Sequence, residues 1–321
     1  MNVKEIAESI KKTEKEIHSV YFVGCGASKG ELYPAKYFLE QESRTLRVGH
    51  FNANEFVHDT PAAVDHTAVV ITCSLGGNTP ETVAASKKAK ELGAQVVAVT
   101  HQADSALAQN ADYVILHGFE KNYAAKLEKM INVLMLSAEI LNQYEGYSGY
   151  ADMQEAAQKI YDLIEQAVSF VLPSAKRFAE DYKDVPVIYV MSSGATQCVA
   201  YTFSLCLMME MQWIHSGCFH DGEYFHGPFE ITDKNVPFIL IMNEGNTRAL
   251  DMRALTFLQR FDAKLTVIDG KDFGVGSLPA GVAEYFNPAV TTAVLRVYAE
   301  QLAIERNHPL TQRRYMWKLE Y

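Results

Sequence analysis

No stretch of this chain stays apolar for the roughly 20 consecutive residues that a membrane-spanning helix needs, and no two cysteines form a Cys-x-x-Cys pair. The first absence predicts a protein with no membrane partner. The five cysteines, at positions 25, 73, 198, 206 and 218, are odd in number and scattered. They fit neither a disulfide framework nor a zinc ribbon, and point to reduced thiols in a cytoplasmic protein. Positive charge is also scarce, with 29 Lys and Arg against 39 Asp and Glu and a formal net charge of −10. Nucleic acid and anionic membranes are therefore poor partners, and an anionic ligand would need a local cradle. The amino terminus, MNVKEIAESIKKTEKEI, lacks the apolar centre of a signal peptide and reads as a charged amphipathic helix.

What is present describes a globular α/β chain. With 321 residues and 48% hydrophobic content, two domains with sizeable cores are possible. From Ser19 onward, short β-branched runs alternate with helical stretches, the pattern of a parallel sheet wrapped by helices. Strands are predicted at 19–24, 45–49, 67–73, 95–100 and 112–116, with a long helix at 121–143. A Tyr- and Gly-rich segment at 143–153 breaks the pattern. A long helical stretch follows, interrupted near Pro173, and then a second series of strands at 186–191, 214–218, 237–242 and 264–269.

The second series repeats the first. With Gly26 laid on Gly194, an offset of 168 with no gap brings Tyr21 onto Tyr189, Tyr33 onto Tyr201, Glu55 onto Glu223 and His58 onto His226. The same offset lays Gly77-Asn78-Thr79 on Gly245-Asn246-Thr247. The chain reads as two copies of one βα domain, residues 1–150 and 151–321.

Two loops of the first copy could hold an anion. Cys25-Gly26-Ala27-Ser28 joins the first strand to a helix, but the acidic residue that a dinucleotide fingerprint requires about 20 positions on is missing. The stronger cradle runs from Ser74 through Gly76, Gly77, Asn78 and Thr79 to Pro80. Its glycines free the backbone, Thr79 suits an N-cap and Pro80 the first helical position. Exposed N–H groups at a helix start, flanked by hydroxyls, suit a phosphate monoester, although an ordinary capped helix would have the same sequence.

In the second copy, Glu210 stands inside the apolar run LCLMMEMQWI, with Cys206, Leu207, Trp213 and Ile214 at helical spacing. A carboxylate among such neighbours is paired, protonated or functional, and an apolar shell would raise its proton affinity. His226 precedes Gly227-Pro228. A carboxylate and an imidazole that converge can move protons on carbon and oxygen; equally, Glu210 could be a structural ion-pair member and His226 a turn cap. His220, Glu223 and His226 are metal-ligand residue types. Their spacing of three puts the histidines on different sides of a helix, unlike helical zinc motifs, so no metal is expected.

The Cys-Gly-Ala-Ser turn, the Ser-x-Gly-Gly-Asn-Thr-Pro-Glu-Thr loop, Glu210 with His226-Gly-Pro, and the ending RRYMWKLEY resemble double sugar isomerase (SIS) domain proteins over nearly the whole chain. The second-copy segment and the ending are most similar to deglycases that split fructosamine 6-phosphates into glucose 6-phosphate and an amine or amino acid. The resemblance implies two tandem SIS domains, each a Rossmann-like parallel sheet between helices, and a homodimer or higher even-numbered assembly with shared sites. It implies that Glu210 shuttles a proton between C1 and C2, that His226 opens the sugar ring, reaching across from another subunit, and that Lys318 and Arg314 lie in a tail that closes over the site. Ser28, Ser74 and Thr79, with Gly26, Gly77 and Asn78 around them, take the positions that hold the phosphosugar, and no cofactor is needed. Leu75 and Gly76 replace polar residues of the family loop. Phe203 and Leu207 stand where the related glucosamine-6-phosphate synthase has Glu and Lys, which argues against an ammonia-using synthase. An aldose–ketose isomerase and a non-catalytic sugar-phosphate regulator are the alternatives; with the first strand beginning at residue 19, no room is expected for an amino-terminal DNA-binding domain.

Overall fold

A stripe of Ile6, Ala7 and Ile10 on helix α1 (Val3–Thr13) is fully buried, and a capping box between Asn2 and Glu5 fixes the helix start. The computed structural model describes residues 1–119 and 122–320. Lys121, at the start of the predicted long helix, and Tyr321, in the tail motif, lie outside the described residues. The chain divides into two compact units, Met1–Lys159 and Ile160–Tyr321.

In the first unit the strands are β1 (Ser19–Gly24), β2 (Arg47–Asn52), β3 (Ala68–Cys73), β4 (Gln95–Thr100) and β5 (Tyr113–Leu116). Between them run α2 (Gly26–Glu42), α3 (Ala53–His58), α4 (Pro80–Glu91) and α5 (Ala106–Gln109), and α6 (Tyr123–Tyr144) follows. The sheet is parallel throughout, in the order β2-β1-β3-β4-β5. Every residue of β1 and β3 is buried, which is why these strands are continuous apolar runs rather than alternating ones.

Helix α7 (Tyr150–Tyr182) starts at the predicted domain boundary, and the chain passes from the first unit to the second within it, between Lys159 and Ile160. Its predicted interruption near Pro173 does not occur. Ile160, Ile164, Ala167, Val171, Ala175 and Phe178 form a buried stripe through this region, while Pro173 faces solvent. The packed stripe outweighs the one backbone bond that proline removes.

The second unit holds β6 (Val187–Ser192), α8 (Gln197–Thr202), a π-helix (Phe203–Gln212), β7 (His215–His220), α9 (Asp221–Tyr224), β8 (Pro237–Met242), α10 (Arg248–Arg260), β9 (Lys264–Asp269) and α11 (Ala283–Glu305). Its parallel sheet has the order β7-β6-β8-β9. The offset of 168 carries β1 onto β6, β2 onto β7 and the start of α4 onto the start of α10, while β8 and β9 begin one residue later than it predicts. Gly26 and Gly194, the aligned pair, share a left-handed φ of 53° and 57°.

Candidate active site

In the first unit, the order β2-β1-β3 reverses the winding between β1 and β3, so the loops that follow these strands open on one crevice. Gly24 and Cys73, the last residues of the two strands, are in register. Gly26 opens α2 at positive φ, and half-buried Ser28 sits in the first turn of that helix. The Cys73 thiol, pushed up to about 11 by burial, is hydrogen-bonded by Ser28.

On the other side of the crevice the Ser74 and Thr79 hydroxyls lie 2.8 Å apart. Thr79 occupies the N-cap of α4 without a side-chain cap bond. The N–H groups of Glu81 and Thr82 thus face outward with no partner inside the helix. Gly77 holds φ at +66°, and a Cβ there would lie 2.1 Å from the Ser105 hydroxyl. Asn78 turns outward and accepts the Ala106 N–H at 3.1 Å, so its side chain pins the loop. At Gly76 a Cβ would meet nothing within 4 Å; the hydroxyl missing from that position leaves space, not a repacked wall.

One component of this crevice leaves little trace in the sequence. Buried Lys129 of α6 is ion-paired with Glu31 of α2, close enough for both charges to act on Cys73. The signal was a lone lysine in the apolar stretch KMINVLML.

In the second unit the predicted α-helix around Glu210 is a π-helix, closed by Trp213 in the left-handed conformation with its N–H on the Met208 carbonyl. A wider turn moves the neighbours of a side chain from three or four positions away to four or five. This undoes the expected apolar shell: Glu210 is 25% exposed and its Oε1 is ion-paired with Arg313 Nη2 at 2.7 Å. Arg313 is itself buried, and its other nitrogen donates to the carbonyls of Leu310 and Gln312 at 2.7 and 2.9 Å.

Arg313 is therefore the site residue that motif matching overlooked in favour of its neighbour. Its signal was the requirement that a carboxylate in an apolar run find a cation. Gln212 Nε2 donates to the His308 carbonyl at 2.8 Å, and the Trp213 and His308 rings meet edge-on at 4.4 Å, so the tail is latched to the end of the π-helix.

Glu210, Arg313 and Arg314 line a cavity of about 640 Å³, together with Met209, Trp213 and Met316. Arg314 is exposed and lies 4.4 Å over the Trp213 ring. Lys318, also exposed, donates to the Arg313 carbonyl at 2.6 Å and steadies the tail turn. His226 is exposed beside Gly227, its N–H on the Glu223 carbonyl at 2.9 Å, and is not among the cavity's lining residues. His220 accepts the Gly222 N–H at its Nδ1, capping α9.

The second unit also contains a carboxyl pair that the sequence did not reveal. Asp251 accepts the Asn243 N–H at 2.7 Å and the Ser193 hydroxyl. Asp221, beside Asp251, is pushed up to about 10 by burial and by that neighbour. Burial moves Asp251 upward as well.

The SIS domain model matches residues 15–138. Fructosamine deglycase FrlB of Bacillus subtilis is 41% identical over 96% of this chain and 94% of its own length. A fructoselysine 6-phosphate deglycase of Escherichia coli O157:H7 is 25% identical over 98% of this chain and 89% of its own length. Among solved structures, a Salmonella typhimurium LT2 protein, named as a conjectured phosphosugar isomerase, superposes with a TM-score of 0.96 at 43% identity. That match covers 100% of this chain and 98% of the other.

Proposed function

The chain belongs to the SIS domain family, and we propose that within it the protein is a deglycase. It would cleave a fructosamine 6-phosphate to glucose 6-phosphate and a free amine or amino acid. The observation that carries this reading is Glu210, a single carboxylate held by Arg313 at the wall of a ligand-sized cavity. Its likeness to named deglycases along nearly the whole chain supports the same assignment.

A fructosamine is a ketose with an amine on C1, so its C–N bond needs no direct displacement. Moving a proton from C1 to C2 converts the amine into an imine. In this mechanism His226 of a partner copy protonates the ring oxygen as the sugar opens. Glu210 then takes the C1 proton while O2 gains a proton, giving an enaminol, and returns its proton to C2 as the nitrogen gives up its N–H proton, which leaves an aldimine and a C2 hydroxyl. Water adds to the resulting aldimine and expels the amine, leaving the aldehyde sugar. Arg313 occupies Oε1 of Glu210, which leaves Oε2 for the proton in transit. The hydroxyls of Ser28, Ser74 and Thr79 and the N-terminus of α4 would hold the phosphate, with Lys318 near the enolate oxygen. Each acid–base step of this kind contributes roughly 10²–10⁴-fold.

The test is release of amine and glucose 6-phosphate from a synthetic fructosamine 6-phosphate, with fructose 6-phosphate as the control. Amine release that is lost in Glu210→Gln supports the reading. Interconversion of fructose and glucose 6-phosphates without amine release would make the protein an isomerase, and binding without turnover a sensor. Mixed assemblies of Glu210→Gln and His226→Ala subunits should recover activity, since one kind of site then has both groups; no recovery would return both residues to one chain.

A further inference from the structure

The cavity beside Glu210 carries more positive charge than the proposed proton transfer uses. Arg313 is spent on Glu210 and on two backbone carbonyls. Arg314 is different: its guanidinium carbon lies 4.4 Å from the Trp213 ring centre, and among the described residues no carboxylate is ion-paired with it. A ring face holds a guanidinium by cation–π attraction without using its N–H groups, which stay available to a planar two-oxygen acceptor. With Glu210 and Arg313 cancelling one another, the charged side chains beside Arg314 leave room for one negative charge.

The position of that charge follows from the reaction. Glu210 must reach C1 of the sugar, and the amine nitrogen is bonded to C1. Whatever the nitrogen carries therefore lies within a few bonds of the cavity that Glu210 lines. The remaining walls are mostly apolar or aromatic, with His215 the exception, and Met209 and Met316 among them are side chains that adapt to varied shapes.

We infer that this cavity is the subsite for the amine half of the substrate, and that Arg314 receives a carboxylate there. Arg314 would then be the residue that favours a glycated amino acid over a glycated simple amine, with Met209, Trp213 and Met316 accepting the amino-acid body. This rests on the deglycase reading, and it moves Arg314 from the phosphosugar, which the family resemblance implies that it binds, to the amine half of the substrate.

The test compares two conjugates that differ only in the charge of that group, fructosyl-glycine 6-phosphate and fructosyl-glycinamide 6-phosphate. Wild-type protein should prefer the glycine conjugate in kcat/KM by about 10- to 100-fold, the value of one charge-assisted pair. Arg314→Gln should shrink that preference to about threefold or less, and Arg314→Lys should keep part of it, because a point charge replaces a fork. Equal use of the two conjugates by the wild type overturns the inference. So does a preference that survives in Arg314→Gln while both rates fall together, as a phosphate contact would give. If neither conjugate is cleaved, the deglycase reading fails on its own account, and calorimetric affinities of the same conjugates decide the subsite: equal binding to wild type rejects it, and a glycine preference lost in Arg314→Gln sustains it.

Discussion

The two halves of this protein begin from one plan and treat a negative charge in opposite ways. After β3, the Ser74–Thr79 loop presents two hydroxyls and an uncapped helix start. At the matching place after β8, Thr247 takes the Asn243 amide, Arg248 grips Asp269, and the Asp251 carboxylate accepts both Asn243 N–H and Ser193 hydroxyl. The second crevice is filled by the protein's own carboxyl groups. Divergence runs the other way around the helix that follows the first strand. In register with Glu210 stands Glu42, the last residue of the regular helix α2, whereas Glu210 rides on a π-helix latched by the tail. A duplicated fold can therefore divide labour by closing one site in each copy and opening the other.

The sharpest way to break this comparison is to neutralise both register-matched carboxylates. Glu210→Gln should lower kcat with a fructosamine 6-phosphate by about 10²–10⁴-fold, whereas Glu42→Gln should stay within about twofold. Equal losses in steady-state assays would mean the copies share the work. Next come the loops. Ser74→Ala with Thr79→Val should raise KM for phosphorylated substrate about 10- to 100-fold. Thr247→Val should leave KM unchanged and cost about 1 kcal/mol in denaturant unfolding, since it strips a bond internal to the fold.

The acidic pair gives a smaller, pH-dependent effect. Folding keeps on Asp221 a proton that the unfolded chain releases above its ordinary carboxylate range, so the contribution of Asp221 to stability falls as pH rises from about 4 toward 10. Asp221→Asn, which keeps a donor toward Asp251 without the charge, should therefore be more stable by about 2 kcal/mol at pH 8. The gain should shrink toward pH 5. A gain that does not vary with pH in thermal melts would show that the pair does not hold this proton. The smallest effect is expected from Gly76→Ser, which restores a hydroxyl where there is open space. It should lower KM by about two- to threefold without moving Tm.

The strands were legible to within about three residues because buried parallel strands are unbroken β-branched runs, and the repeat was legible because one offset serves 21–247 without a gap. The cradle was legible from its local turn chemistry. The surroundings of Glu210 were not, for two physical reasons. An apolar run fixes that a helix is buried but not its hydrogen-bond register, so nothing in LCLMMEMQ distinguishes a π-turn from an α-turn. The partner of Glu210 is also more than a hundred residues away, a contact that only tertiary folding makes. Asp221 and Asp251 stayed hidden likewise, each reading as a helix-start acid of the kind that commonly faces solvent.

The tether between Arg313 and Glu210 passes through a ribbon of chain outside both sheets, and much of it, from Glu305 to Gln312, is exposed. A single proteolytic cut there would leave only side-chain contacts to hold the guanidinium at the carboxylate, with every strand and its circular dichroism in place. Loss of turnover would then precede loss of shape, so that sheet content and soluble yield would be poor gauges of how much working enzyme a preparation contains.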